Sequence, residues 1–271
     1  MRTLKIYRPF AVNELKTHLA YRGSFYLFLL ISTFGSFVSY FLWSAIYGSS
    51  ESAVLGGLTR HEMTVYIFMV YVTSSIVAIS LSEWVSEDVV KGTVAMNLIK
   101  PIDYRLSLIV RALGQMVYRF FAPAIFIWVG LELYKFFALG LGFTPIPNLI
   151  FYLVSCMLSF LIFVLFDFCV GMVAFFTSYI FGLLMVKEAL LSFLTGQLIP
   201  LSFFPVTVQK IFNFLPFSSM IYTPVMIYLG KYSPTELTLL LLRQGFWVVV
   251  LYFIGSLIWK RVVRRMVVLG G

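Results

Sequence analysis

The sequence is poor in the residues that do chemistry. It has two histidines, His18 and His61, and two cysteines, Cys156 and Cys169, while Asp, Glu, Lys and Arg together make up 11% of 271 residues. No H-E-x-x-H, G-x-S-x-G or CxxC pattern occurs, which removes common zinc, serine-hydrolase and redox arrangements. No G-x-x-x-x-G-K-[ST] occurs either, so the chain has no P-loop with which to bind nucleotide. The two cysteines fall in one apolar run, and on a helix their separation is about 20 Å, too far for a disulfide. An enzyme is not expected, and no catalytic, cofactor-binding or metal-ligating residue is assigned.

What fills the chain instead is apolar: 61% of residues are hydrophobic and 18% aromatic, and the mean hydropathy is +0.97. Crossing the hydrocarbon core takes about 20 mostly apolar residues. Six segments meet that length, at 25–48, 64–81, 113–133, 149–173, 179–200 and 237–259. The runs are continuously apolar, without the two-residue alternation of a spanning β-barrel. The expected fold is therefore an all-α integral membrane protein of six transmembrane helices.

Basic residues set the orientation. Six spans put the two termini and the loops after spans two and four on one side, and fourteen of the 20 Lys and Arg residues fall there. Arg60, Lys135, Lys210 and Lys231 fall on the other side, and Lys187 and Arg243 sit inside spans. Both termini are expected in the cytoplasm of a multi-pass protein of the cell membrane. The net charge of +9 then reads as a topology signal and an attraction to anionic headgroups rather than to nucleic acid. Before span one, Leu4, Ile6, Tyr7, Phe10, Leu15 and Leu19 interleave with Lys5, Arg8, Glu14, Lys16 and His18. Residues 1–24 thus read as an amphipathic interface helix, with a loosely ordered basic tail as the other reading, and residues 25–271 as the transmembrane domain.

Charges at membrane depth are costly and often functional. Asp167 in span four and Lys187 in span five lie at similar depth, counted back from the turn between them, and are expected either to pair or to reach the interface or internal water separately. Arg243 is expected to snorkel outward. Arg111, Gln115 and Arg119 recur every fourth residue and either line a cytoplasmic vestibule or sit at headgroup level.

The segment SEWVSEDVVKGTVAMNLIKP, 82–101, interrupts this apolar background. As a helix it puts Glu83, Glu87 and Lys91 on one face, flanked by Trp84 and Asp88, with Val85, Val89 and Val90 opposite. Ser82 suits an N-cap, Gly92 a C-terminal stop, and Glu87–Lys91 an i,i+4 ion pair. Either this helix docks onto a partner or it is a solvated loop. Further on, the stretch 196–230, with Pro200, Pro205, Pro216 and Pro224, is too apolar for an exposed loop and too broken for one spanning helix. Short helices dipping back into the outer leaflet are expected there, with their backbone buried in protein.

Asp88, Lys91-Gly92-Thr93 and Pro101 together resemble the E-x-x-x-G-T-L…L-x-x-P motif after the second span of ABC-2 type transporter permeases. The P-L-x-x-F-P, L-P-F and Y-x-P steps between Pro200 and Pro224 are similar to the outer re-entrant hairpin between spans five and six in that family. The resemblance looks closest to the viologen or multidrug exporter branch, although Val90 and Val94 replace an acidic residue and a leucine. It implies a permease that pairs with an identical or homologous second permease and is driven by two copies of a separate subunit that binds ATP and Mg²⁺. Glu83, Trp84, Glu87, Asp88, Lys91, Gly92 and Thr93 would form the coupling helix that docks on that subunit, and export of an amphiphilic drug, peptide or lipid-like molecule would follow. A gradient-driven transporter and a non-transporting membrane partner or immunity protein are the alternatives.

Overall fold

The computed structural model describes residues 2–20, 22–177 and 180–270. The chain opens with α1 (Arg2–Ala20) and α2 (Arg22–Ser49), then a short hairpin of β1 (Val54–Leu55) and β2 (Leu58–Thr59) turning on Gly56-Gly57. Next come α3 (Arg60–Val77), α4 (Leu81–Val90), α5 (Thr93–Ile99), α6 (Tyr104–Arg119) and α7 (Ile125–Ala138). After these follow α8 (Ile146–Gly171), α9 (Phe181–Leu194), α10 (Val206–Phe214), α11 (Tyr222–Tyr228) and α12 (Pro234–Gly270). Tyr179, where span five is expected to begin, lies outside the described residues, as do the side chains of Leu4 and Lys5.

Local chemistry sets several of the boundaries. Thr59 and Glu62 form a reciprocal capping box at the start of α3, and the Asp103 carboxylate accepts the Leu106 N–H to start α6. Between α6 and α7 a single π turn, Phe120–Ala124, contains Pro123. Proline has no N–H to give and its ring crowds the carbonyl four residues back, so the helix widens by one residue there instead of stopping.

The core sits around α3, whose Met63, Tyr66, Met69, Val70, Ile76 and Val77 are all at most 2% exposed. Against it pack α8 and α11 on one side and α2 and α7 on the other. By contrast α2 and α12 turn broad apolar faces outward, including Phe34 and Phe41 on one and Phe246 and Phe253 on the other. Exposed apolar surface on that scale is stable in lipid and not in water.

Among the described residues, four helical stretches are long and apolar enough to cross a membrane: Leu29–Ser49, Arg60–Val90, Ile146–Phe175 and Pro234–Arg264. They fall on expected spans one, two, four and six. Expected span three corresponds to α6, the π turn and α7 taken together. Expected span five differs: α9 has 14 residues, about 21 Å at the helical rise, short of a hydrocarbon core of about 30 Å. It stops where Gly196 takes φ +79°, and Pro200 follows. The last six residues of that apolar run, 195–200, are therefore turns rather than helix.

Candidate functional site

The polar segment after α3 folds into a joint of two short helices. Its first helix, α4, buries Leu81, Ser82, Val85 and Ser86 against α8, while Glu83, Glu87 and Val90 face outward. Gly171 of α8 permits this crossing, because a Cβ there would lie 3.0 Å from the Ser82 Cα and 3.1 Å from the Val85 Cβ. Two details depart from the expected helix. Val90 is 70% exposed, not on the buried side. Ser82 is not the N-cap: the helix starts at Leu81, and the N–H of Ser82 donates instead to Asp167 Oδ2 at 2.7 Å.

Asp167 of α8 is fully buried and gathers three donors. Besides the Ser82 N–H it accepts the Ser82 hydroxyl at 3.0 Å and the Lys187 ammonium of α9 at 2.7 Å, and Lys187 also donates to Ser82 Oγ at 3.0 Å. The carboxylate stands at the N-terminus of α4, where unpaired N–H groups and the helix dipole favour an anion. One carboxylate thereby holds three elements together: α4, α8 and α9.

The far end of α4 is tied by a second carboxylate. Asp88 accepts the Thr93 hydroxyl at 2.6 Å, the Tyr104 hydroxyl at 2.7 Å and the Asn97 amide at 3.3 Å, which fixes α5 and α6 to α4. Gly92 makes the bend between α4 and α5 with φ +70°, a conformation that disfavours any side chain. The Tyr104 ring stacks on Trp259 of α12, with centroids 5.3 Å apart.

Arg111 and Arg119 are both engaged within the fold around this joint. The Arg111 guanidinium lies 4.0 Å over the Trp84 ring and its Nε donates to Glu14 of α1 at 2.7 Å. Arg119 donates to the Ala78 carbonyl at 2.6 Å, one of the groups exposed by the break between α3 and α4. Gln115 between them is buried. Among the described residues, the outer face of α4 carries the exposed Glu87–Lys91 pair, Glu83 and Val90, and α5 exposes Met96 and Ile99.

The four prolines punctuate a different region. Pro200, Pro205 and Pro216 each precede a short helical turn, and Pro224 lies in the first turn of α11. The backbone carbonyls freed by these breaks receive side-chain donors from the surrounding helices. Tyr66 donates to Gly196 O, Ser159 and Gln244 to Ser219 O, and Trp247 to Phe214 O. Arg243 does not snorkel outward: it donates to Asn213 O at 2.8 Å and Thr223 Oγ1 at 3.2 Å. Every residue of α11 is buried.

Two polar clusters escaped the sequence reading. Gln244 is fully buried and bonds Ser155, Ser159 and Ser219. Glu132 and Lys135 of α7 form a buried ion pair to which Thr144 and Tyr228 also donate. Their i,i+3 spacing in an apolar run was the available signal for the second.

Comparison with known proteins gives one family. A family model described as ABC-2 family transporter protein matches residues 34–270, leaving α1 and the first turns of α2 outside the match. No curated protein matches the chain.

Proposed function

Since the chain belongs to the ABC-2 family of transporter proteins, a family of transmembrane transporter components, we propose that it is the permease subunit of an ATP-driven exporter. A separate cytoplasmic subunit, in two copies, binds ATP and Mg²⁺ and supplies the work. A second permease, identical or homologous, completes the pathway, and the assembly sits in the cell membrane with both termini in the cytoplasm. Six crossings result if α6–α7 and the short α9 each traverse the bilayer, the latter with help from the proline-broken segment that follows it. The cargo is an amphiphile.

The observation that carries this reading is the joint of α4 and α5. It is pinned at both ends by buried or half-buried carboxylates, Asp167 and Asp88, yet presents Glu83, Glu87, Lys91 and Val90 on an exposed outer face. A solvated loop helix has no need of such anchorage. A lever that must pass force from a docked ATPase into α3, α6 and α8 does. Closure of the ATPase pair would push α4, and Asp167 and Asp88 would carry the displacement into the spans.

The test is reconstitution of the chain with a candidate ATP-binding subunit in liposomes. Stimulated hydrolysis coupled to movement of an amphiphilic dye is the expected result. Flux driven by a pH gradient and indifferent to ATP would favour a gradient-driven transporter. Binding of the subunit without turnover would favour a non-transporting membrane partner.

A further inference from the structure

Between α2, α3 and α7 the fold leaves an elongated cavity of about 430 Å³. Its walls are mainly Leu29, Phe37, Phe68, Phe126, Ile127 and Leu131, and none of the described residues that line it is charged. Three of the four polar side chains in the wall, those of Ser36, Tyr40 and Tyr134, are already engaged. The Ser36 hydroxyl donates to Thr33 O at 2.7 Å, and the phenol groups of Tyr40 and Tyr134 hydrogen-bond to each other. An ion, a sugar or a charged headgroup would lose its hydration there and gain no partner.

The shape is as specific as the chemistry. From Leu29 to Tyr40 the cavity follows α2 for about 16 Å at the helical rise, close to one leaflet, half of a hydrocarbon core about 30 Å thick. It opens sideways, because Phe37 is 46% and Phe126 is 57% exposed, and the neighbouring Leu30, Phe34 and Phe41 of α2 face outward as well. Gly130 of α7 supplies the width: a Cβ at that position would meet no atom within 4 Å.

We propose that this cavity takes one acyl chain of a phospholipid from the surrounding bilayer. The chain lies along α2 with its apolar length against the phenylalanines, and the headgroup stays outside at the membrane surface. The site depends on the helices lying in a membrane and not on the direction or cargo of transport, so it stands or falls separately from the export reading.

Photolabelling tests it. The full chain is reconstituted in phosphatidylcholine vesicles containing a phospholipid with a diazirine on its acyl chain, and adducts are mapped by mass spectrometry after illumination. Adducts concentrated on Phe37, Phe126 and Tyr134 are expected, together with weaker labelling of outward residues such as Leu242 and Phe253. Gly130→Phe fills the cavity and removes the first set while leaving the second, and Gly130→Ala, which leaves the space open, keeps both. Equal labelling of cavity and outer face, unchanged in Gly130→Phe, would overturn the proposal. So would absent cavity labelling, as when a second copy of the chain covers the mouth, or labelling by a free diazirine fatty acid and not by the phospholipid. Retention of Leu242 and Phe253 adducts shows that a variant is folded and inserted.

Discussion

The carboxylate of Asp167 accepts the backbone N–H of Ser82 at 2.7 Å, so a side chain from within α8 caps the start of α4. Capping is ordinarily local, supplied by the residue before the helix. Here it comes from another helix and is itself neutralised by Lys187 of a third. Any tilt of α4 must therefore either drag α8 and α9 with it or break a buried carboxylate's hydrogen bonds. The contact converts a surface helix into part of the spanning bundle.

Removing one member of the pair leaves the other charged and unpaired in the interior. Asp167→Asn or Lys187→Met is expected to cost about 3–5 kcal/mol, read as a fall in the unfolding temperature in detergent. Asp167→Leu combined with Lys187→Met should recover most of that stability, since no buried charge is left. It should not recover coupling to an ATPase, because the Ser82 N–H remains uncapped. Single variants as stable as wild type would show that the pair carries no load.

How much of this was legible in the sequence depends on whether the signal is local. The apolar runs at 25–48 and 149–173 read directly as helices, because length and hydropathy are properties of the run itself. Asp167 and Lys187 could be set level by counting residues from the intervening turn. Ser82 could not be joined to Asp167 in the same way, since a contact across 85 residues leaves no periodic trace. Arg243 shows a related limit: its side chain is long enough to reach either the outer interface or Asn213 O, and only the packing of the segment after α10 decides. The short α9 was hidden because Gly196 and Pro200 lie in a stretch whose composition matches that of a span.

Glu14 makes the docking of α1 on α6 acid-sensitive. Burial pushes its carboxyl up, but hydrogen bonds from His18 and Arg111 outweigh this and hold it below the ordinary value of 4.5. A carboxyl depressed on folding stabilises above its unfolded value, and that stability is lost as pH falls through the folded value. Hydrogen exchange in 2–20, corrected for intrinsic rate, should thus be level from about pH 7 to about pH 5 and rise below that. Glu14→Gln should abolish the acid-side rise and loosen α1 at neutral pH, by about 0.5–1 kcal/mol because Arg111 is partly exposed. A wild-type α1 that loosens on raising the pH instead would contradict the assignment.

In α7, Glu132 links Lys135, Thr144 and the Tyr228 hydroxyl. Glu132→Ala strands the Lys135 ammonium, which is 7% exposed, and removes one of the two hydrogen bonds from α7 to Tyr228 of α11, the other coming from Trp128. The expected cost is about 3–5 kcal/mol, as for any broken buried pair, whereas Tyr228→Phe, which removes a donor to Glu132 and the acceptor of the Trp128 indole N–H, should cost about 1–2 kcal/mol. Equal effects of the two variants, measured by thermal unfolding, would mean that the hydroxyl and not the charge pair holds the two helices together.

Asp88 separates two meanings of the joint. Its oxygens are occupied within the chain by Thr93, Asn97 and Tyr104, whereas Glu87 and Lys91 point outward. Asp88→Arg should therefore deform the joint: the chain still folds and inserts, but ATP hydrolysis by a docked subunit no longer drives export. Tyr104→Phe acts on the same bond from the other side, so its effect and that of Asp88→Asn should be non-additive by about 0.5–3 kcal/mol in a double-mutant cycle on stability. Glu87→Lys should leave stability within about 0.5 kcal/mol of wild type, as expected for an exposed position. It should instead weaken ATPase binding in a salt-dependent way, because it reverses a charge on the outer face. If Asp88→Arg exports normally, the pinned geometry of α4 and α5 is not what passes the force. If Glu87→Lys binds the subunit as wild type does, the docking face lies elsewhere on the molecule.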